Sequence, residues 1–468
     1  MLSMAWAERQ SLLGIWWLPE TPEEKLHGTL EIIPGETPTL ELIGSFTGIG
    51  LFGSAFVEKT RVFGIVSGKL VTLVNCHLVS GGISVPGFDK TKIYAYAVLF
   101  GSHAHSFTVS KVSVHADGLE NWLGRGGVEI ADTDFSNRSF SITYQQPTSE
   151  VFFIDENTSL EIDFHTREFP AWDSKRTSFS ISQTPGLSLK FAKPVELQAI
   201  DTYLFRLWLF LRLAYDQPLQ LFEILLQSPE VNRSGGEETA PVPLTYLKHP
   251  GSKADHKFDG HRQLIPFEFI CANRNAFQRW FELYEVLDAA FDLHFSIDHQ
   301  DGFYIEQEFL ARTSCLEVMH RRLVPLSEKD KDLHTQRLAK IYEKLADSEH
   351  LKWLKDKLVF SHEPTLRQRL GEIAKEVGGI LGGKDFISDK FLGHVANTRN
   401  HLTHYNKNDK KSAKKVLDTD AKVAALVKLR SMFVIYVLLQ LGFDKADIRQ
   451  LVESPFGIKY QLQRIQET

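Results

Sequence analysis

Arg399, Asn400 and His404 fall within one short stretch, FLGHVANTRNHLTHY, from Phe391 to Tyr405. An arginine presents a planar fork of donors to a phosphate and does not lose its charge. A histidine exchanges protons near neutral pH. Together they suit cleavage of an RNA phosphodiester, in which a 2′-hydroxyl loses its proton and charge builds on the phosphorane. Five residues advance an ideal helix by about 500°, which leaves the two side chains roughly 140° apart. They converge if His404 lies in a fraying last turn, or if a second copy of the chain completes the site. The polar run NKNDKKSAKK follows at once and predicts a helix end here. Alone the pattern is weak, because a chain with 18 histidines produces such pairs by chance. A helix end whose Arg and His are merely solvated is the competing reading.

The neighbours of this pair admit two readings each. His401 and His404 form an H-x-x-H pair, but two ligands without a third make a poor metal site, so His401 is expected to support the pair or touch RNA. Lys407, Lys410, Lys411, Lys414 and Lys415 follow directly. A lysine run is commonly a solvated loop. Beside a candidate phosphate site on an acidic chain, it is also a candidate RNA-binding patch. Further upstream, His103 and His105 would share a strand face, with His77 and His115 elsewhere, and no carboxylate or cysteine stands at a ligand spacing beside them. These read as structural histidines, and no metal or cofactor is expected.

The elements that must position the pair come last in the chain. Residues 1 to about 190 read as β: GTLEII, TLELIG, KLVTLVNCHLV, KIYAYAVLFG and SLEIDFH alternate or run apolar between Gly, Pro, Asn and Asp, as in a sandwich or barrel. Within them GLENWL suggests one helical turn, and Trp16-Trp17 suggests either packing or an exposed aromatic platform. From about Val195 to Gln227 the apolar spacing turns helical, with Pro218 dividing two helices. Residues 228–260 are rich in Gly, Pro, Ser and charge and predict a mobile loop with at most one strand in it. Helices are expected over 275–291, 303–323, 329–347, 364–381, 386–405, 416–441 and 444–453, a set that suits a bundle. Asp385 or Ser388 could cap the helix that carries Arg399. The fold class is therefore α+β multidomain, with an all-β sandwich or barrel-like domain over 1–190. A mostly helical connection over 191–300 follows, then an all-α bundle over 301–468.

Composition sets limits. At 468 residues, two or three domains are the prior. Net charge is −6 and the pI is near 6.3, so an RNA site must be a local patch on an acidic body. Cys76, Cys271 and Cys315 are far apart with no CxxC pair, which fits a reducing cytoplasm. The N-terminus lacks a signal-peptide pattern, Met432 to Leu441 is too short an apolar run to span a bilayer, and arginines interrupt Tyr203 to Ala214. No membrane partner is expected.

Three stretches carry a resemblance. GIWWLPE followed by HGTLEI resembles the opening of the ApeA N-terminal domain, and FYIEQEFLARTSCLEVMHRR resembles the first helix of an ApeA-like HEPN domain. The segment around Arg399 is similar to the R-N-x-x-x-H signature of HEPN ribonucleases. The resemblance to ApeA-type anti-phage proteins implies a metal-independent endoribonuclease that leaves 2′,3′-cyclic phosphate ends, cuts host RNA on infection and so aborts phage growth. Structured RNA such as tRNA, a homodimer or higher homo-oligomer and a phage-derived activator are the implied partners. Arg399 and His404 become the catalytic pair, with His404 as base to the 2′-hydroxyl or acid to the leaving oxygen, and Asn400 orients. Glu317 matches a helix-one carboxylate facing the motif; the alternative is a glutamate paired only with Arg321 at i+4. Two other classes remain open. One is a non-catalytic, HEPN-scaffolded binding protein with an inert motif. The other is a metal-dependent hydrolase, for which the chain offers no ligand set.

Overall fold

The computed structural model describes residues 9–33, 36–46, 60–82, 89–103, 107–134, 136–166, 181–229, 244–246, 258–298, 302, 304–345, 349–359, 361–381, 387–404, 416–455 and 457–458. Most of the loop expected over 228–260, all five lysines of the 407–415 run, and Asp385 lie outside them. The chain divides into two compact units, Met1–Arg274 and Asn275–Thr468.

The first unit is β-rich, as the spacing of its short alternating runs predicts. Strands β1 (Gln10–Trp17), β2 (Leu26–Ile32), β3 (Thr39–Ile43), β4 (Thr60–Val66), β5 (Lys69–Gly82) and β6 (Lys90–Phe100) pair antiparallel in the order β6-β3-β2-β1-β4-β5. Pairing of β5 back onto β6 closes them into a six-strand barrel. Alternation fills it: Leu40 and Leu42 point inward while Glu41 and Ile43 face out, and Trp16, Leu30, Val62, Val71, Leu73 and Ile93 join them. Trp16 is fully buried and donates its indole N–H to the Gly28 carbonyl at 3.0 Å. Gly64 makes this possible, because a Cβ there would lie 2.2 Å from the Trp16 ring. Trp17 is buried as well, edge-on to His103. The tryptophan pair is barrel packing, with no exposed platform.

The sheet then continues past the barrel. It runs through β7 (Thr108–Ala116), β10 (Glu150–Asp155), β11 (Thr158–Thr166), β12 (Gln183–Glu196), β13 (Leu221–Gln227) and β14 (Leu244–Tyr246), in the order β10-β11-β12-β7-β13-β14-β6. Strands β8 (Val128–Asp134) and β9 (Ser139–Tyr144) form a separate hairpin. Helix α1 (Leu119–Leu123) is the turn expected at GLENWL, and α2 (Leu197–Tyr215) buries one side at its start and is buried all round from Leu209 to Tyr215. Beyond Pro218 the structure departs from the helical reading. LFEILLQ forms β13, because β7 offers it an unpaired edge whose hydrogen bonds a short helix could not match. Helix α3 (Phe267–Ala272) closes the unit.

The second unit is helical: α4 (Ala276–Ile297), α5 (Ile305–Leu323), α6 (Glu328–Lys344), α7 (Leu351–Leu358), α8 (Leu366–Gly378), α9 (Asp389–His404), α10 (Thr419–Gln440) and α11 (Lys445–Glu453). The core joins Trp280 and Phe291 of α4, Phe309, Leu316 and Met319 of α5, Leu370 and Ile373 of α8, Val395 of α9 and Leu429 to Leu438 of α10. Within it Asp298 accepts from Arg312 Nη2 at 3.1 Å and Arg430 Nε at 2.8 Å, while His294 stacks on Phe433. By length and composition α10 is apolar enough to cross a membrane. Inside the unit its apolar residues pack on α5 and α8, and 61% of that window is buried.

Candidate active site

Ser388 caps the helix that carries the Arg–His motif: its Oγ accepts the N–H of Phe391 at 3.2 Å. Along α9, Leu392, Val395, Thr398 and Leu402 recur at three- and four-residue steps and are buried, which seats the helix against α5 and α8. Thr398 Oγ1 donates to the His394 carbonyl at 2.8 Å and accepts the N–H of Leu417 at 2.9 Å. That bond ties the chain entering α10 to the middle of α9.

Arg399 follows Thr398 at the edge of the buried stripe. Its Nη2 donates to Glu317 Oε2 on α5 at 2.9 Å, and its Nη1 to Asn400 Oδ1 at 3.3 Å. The second Glu317 oxygen lies 3.5 Å from Arg321 Nη2, one turn along α5. Glu317 thus makes both contacts that its position admits, one across the bundle and one along its own helix. The chain of charges continues. Arg321 Nη2 meets Glu363 Oε2 at 3.0 Å, and the same oxygen accepts from Arg369 Nη2 at 3.1 Å. Arg369 Nη1 lies 3.3 Å from His320 Nδ1, and His320 Nε2 lies 2.7 Å from Glu372 Oε2. A guanidinium only donates, so Nδ1 of His320 is the acceptor and its Nε2–H points at Glu372. Arg369 and His320 are both buried. Burial, followed by the nearby Glu376 and Glu372 carboxylates, pushes the Tyr436 phenol up to about 12.

His404 is the last helical residue of α9 and is exposed, and His401 is half-buried. Thr403 Oγ1 bonds the Arg399 carbonyl at 2.8 Å, so helical spacing persists from one motif residue to the other. Arg399 and His404 therefore stand about 140° apart on one helix, and a single chain brings Arg399, Asn400 and Glu317 together without His404. Among the described residues no group of three or more His, Cys, Asp and Glu side chains comes together as a metal site. Glu363, Arg369 and Glu372 have no signal in the sequence pattern. They sit one bundle helix away from Glu317 with no periodic relation to it, and only the packing of α8 on α5 joins them.

In the first unit a groove of about 630 Å³ opens between Gly124–Glu129 and Gln145–Glu150. Glu150 at its edge accepts from Arg125 Nη1 at 2.8 Å and Arg274 Nη1 at 2.9 Å, and these bonds hold its carboxyl below the usual range.

Two family models match the chain. ApeA N-terminal domain 1 matches residues 11–280, and Apea-like HEPN matches residues 310–447, a span that includes Glu317, Arg399, Asn400, His401 and His404. No curated protein and no solved structure matches the chain.

Proposed function

The chain belongs to the ApeA family, a defence nuclease family whose HEPN domains are generally ribonucleases, and from that premise we propose a metal-independent endoribonuclease with its site on α9. The observation that carries this reading is the Arg399–Glu317 bond at 2.9 Å inside the HEPN match. A carboxylate from α5 fixes the guanidinium at the bundle edge, where one side remains open to a phosphate. Arg399 stabilises charge developing on the phosphorane, and Asn400 holds the second guanidinium nitrogen in plane. His404 takes the proton from the 2′-hydroxyl or gives one to the departing 5′-oxygen, which leaves a 2′,3′-cyclic phosphate.

The 140° between Arg399 and His404 supports a second copy of the chain. About a two-fold axis beside α9, the His404 of one protomer can face the Arg399 of the other, so the active species is a homodimer. Host RNA, structured RNA such as tRNA among it, is the substrate in the cytoplasm. Its loss on infection halts phage growth, and a phage component is the trigger.

Purified protein is incubated with total cellular RNA in EDTA, with and without phage lysate, beside Arg399→Ala and His404→Ala. Cleavage by the unaltered protein alone, with cyclic-phosphate ends, is the expected result. Equal cleavage by either variant, with its helical signal intact, refutes the assignment. Defence that survives both substitutions would favour a binding protein with an inert motif.

A further inference from the structure

Helices α6 and α7 leave the bundle between α5 and α8 and add nothing to its core: no described residue of either is buried. They run antiparallel to each other. Lys355 Nζ lies 5.4 Å from the Tyr342 ring centre, while nearer the root His334 Nε2 bonds Ser361 Oγ at 2.9 Å. Leu338 and Tyr342 on α6, Leu345 just past its end, and Leu351, Leu354 and Leu358 on α7 are half-buried, and helical spacing makes them the shared seam.

On one side of the seam the arm is basic, and the exposed Glu343 and Asp356 fall off that side. Arg337, Lys340 and Lys344 recur at i, i+3 and i+7, forming one exposed stripe about 10 Å long. On α7, Trp353 is 61% exposed with Lys357 one turn on. Antiparallel pairing turns Trp353 and Lys357 to the same side as the α6 stripe. Among the described residues, none of these four cations has an acidic partner, whereas Lys331 at the root pairs with Glu328. An unpaired basic row with an exposed indole on a chain of net charge −6 is a local match for a polyanion that also offers flat rings. The root adds the second argument. Glu363, in the segment joining α7 to α8, bonds Arg321, which lies against the Glu317 that holds Arg399.

We infer that this face of the α6–α7 arm is an RNA-docking surface, with Arg337, Lys340, Lys344 and Lys357 on backbone phosphates and Trp353 stacked on an unpaired base. The inference rests on the ribonuclease reading and adds to it where the substrate is held. A single strand spaces its phosphates closely enough for the α6 stripe to meet two or three of them. Stacking on Trp353 favours structured RNA with a splayed base over a uniform duplex.

The test uses full-length His404→Ala protein, silenced for cleavage, and a fluorescent tRNA whose binding is titrated across salt concentrations. Combining Arg337→Gln, Lys340→Gln and Lys344→Gln is expected to weaken binding at least tenfold and to flatten the slope of log K against log salt by about 2. Trp353→Ala is expected to weaken it about 5- to 100-fold at an unchanged salt slope. Unchanged affinity and slope in both arm variants overturn the inference, and cleavage by the unaltered protein would then leave the ribonuclease reading standing. Absence of both RNA cleavage by the unaltered protein and RNA binding by His404→Ala overturns the two together. A shift in sedimenting mass at unchanged RNA affinity would make the arm a contact between copies and also overturn it.

Discussion

Replacing Glu317 with glutamine tests whether the carboxylate on α5 orients Arg399 for the reaction. The substitution keeps the shape of the side chain and removes its charge. The bond to Arg399 Nη2 is 2.9 Å long, and the two side chains are 20% and 29% exposed. A charge-assisted hydrogen bond contributes about 1.5–3 kcal/mol when shielded, and an exposed ion pair about 0–1 kcal/mol. Partial exposure puts this pair between them, at about 1–2 kcal/mol. If that orientation is realised in the transition state, Glu317→Gln lowers kcat about 5- to 30-fold. Arg399→Ala, which removes the charge acting on the phosphate itself, lowers it about 100- to 1000-fold. The assay is single-turnover cleavage of a fluorescent hairpin RNA in EDTA, with urea unfolding run in parallel to exclude a loss of fold. Because Glu317 acts through Arg399, adding Glu317→Gln to Arg399→Ala produces no further loss. An additive loss refutes the reasoning. A rise in kcat refutes it more sharply, since Glu317 would then be restraining Arg399 rather than presenting it.

Three further outcomes follow from the same geometry. Mixing Arg399→Ala with His404→Ala protein restores roughly a quarter of the activity if each site takes its arginine and histidine from different protomers; no recovery after subunit exchange argues for both from one chain. Asp298→Ala removes the buried carboxylate that Arg312 and Arg430 share, leaves Arg312 with Glu308 alone at 2.9 Å, and lowers the unfolding free energy of the helical unit by about 3 kcal/mol, read by urea denaturation. Arg125 and then Arg274 hold the Glu150 carboxyl low, so its stabilisation is complete above the unfolded glutamate value of about 4.3 and is lost as pH falls through the lower folded value. Glu150→Gln should therefore cost the first unit stability at neutral pH and progressively less below about pH 4.3, and a pH-independent cost would contradict the account.

Local pattern made much of this molecule legible. The α9 stripe, Leu392, Val395, Thr398 and Leu402, is a helical repeat with a serine cap in front of it, and both signals are contained within one turn of the residues they specify. Alternation in β3 and β6 announced strands in the same way. Closure of the barrel had no such signal, because β6 must pair with β3, almost fifty residues back, as well as with its neighbour β5. LFEILLQ misread as helix for the same reason: its apolar residues suit either period, and the free edge of β7 decided the matter. Helix α7 escaped because LKWLKDKL is short and buries nothing.

The candidate site shows the same division between local and distant causes. Arg399, Asn400 and His404 stand out as candidates because all three fall on one helix, and Glu317 because its stretch resembles a known first helix. What holds Glu317 is another matter. Arg321 reaches both Glu317 and Glu363, and Glu363 reaches the buried Arg369. A carboxylate that served Arg399 alone would be free to swing with it; one shared with Arg321 is anchored to α5, and through Glu363 to the start of α8. The anchoring matters because the motif is split in angle. With Arg399 held by Glu317 and His404 about 140° away around α9, the proposed ribonuclease would depend on where a second α9 is placed, which is what the subunit-mixing experiment reads.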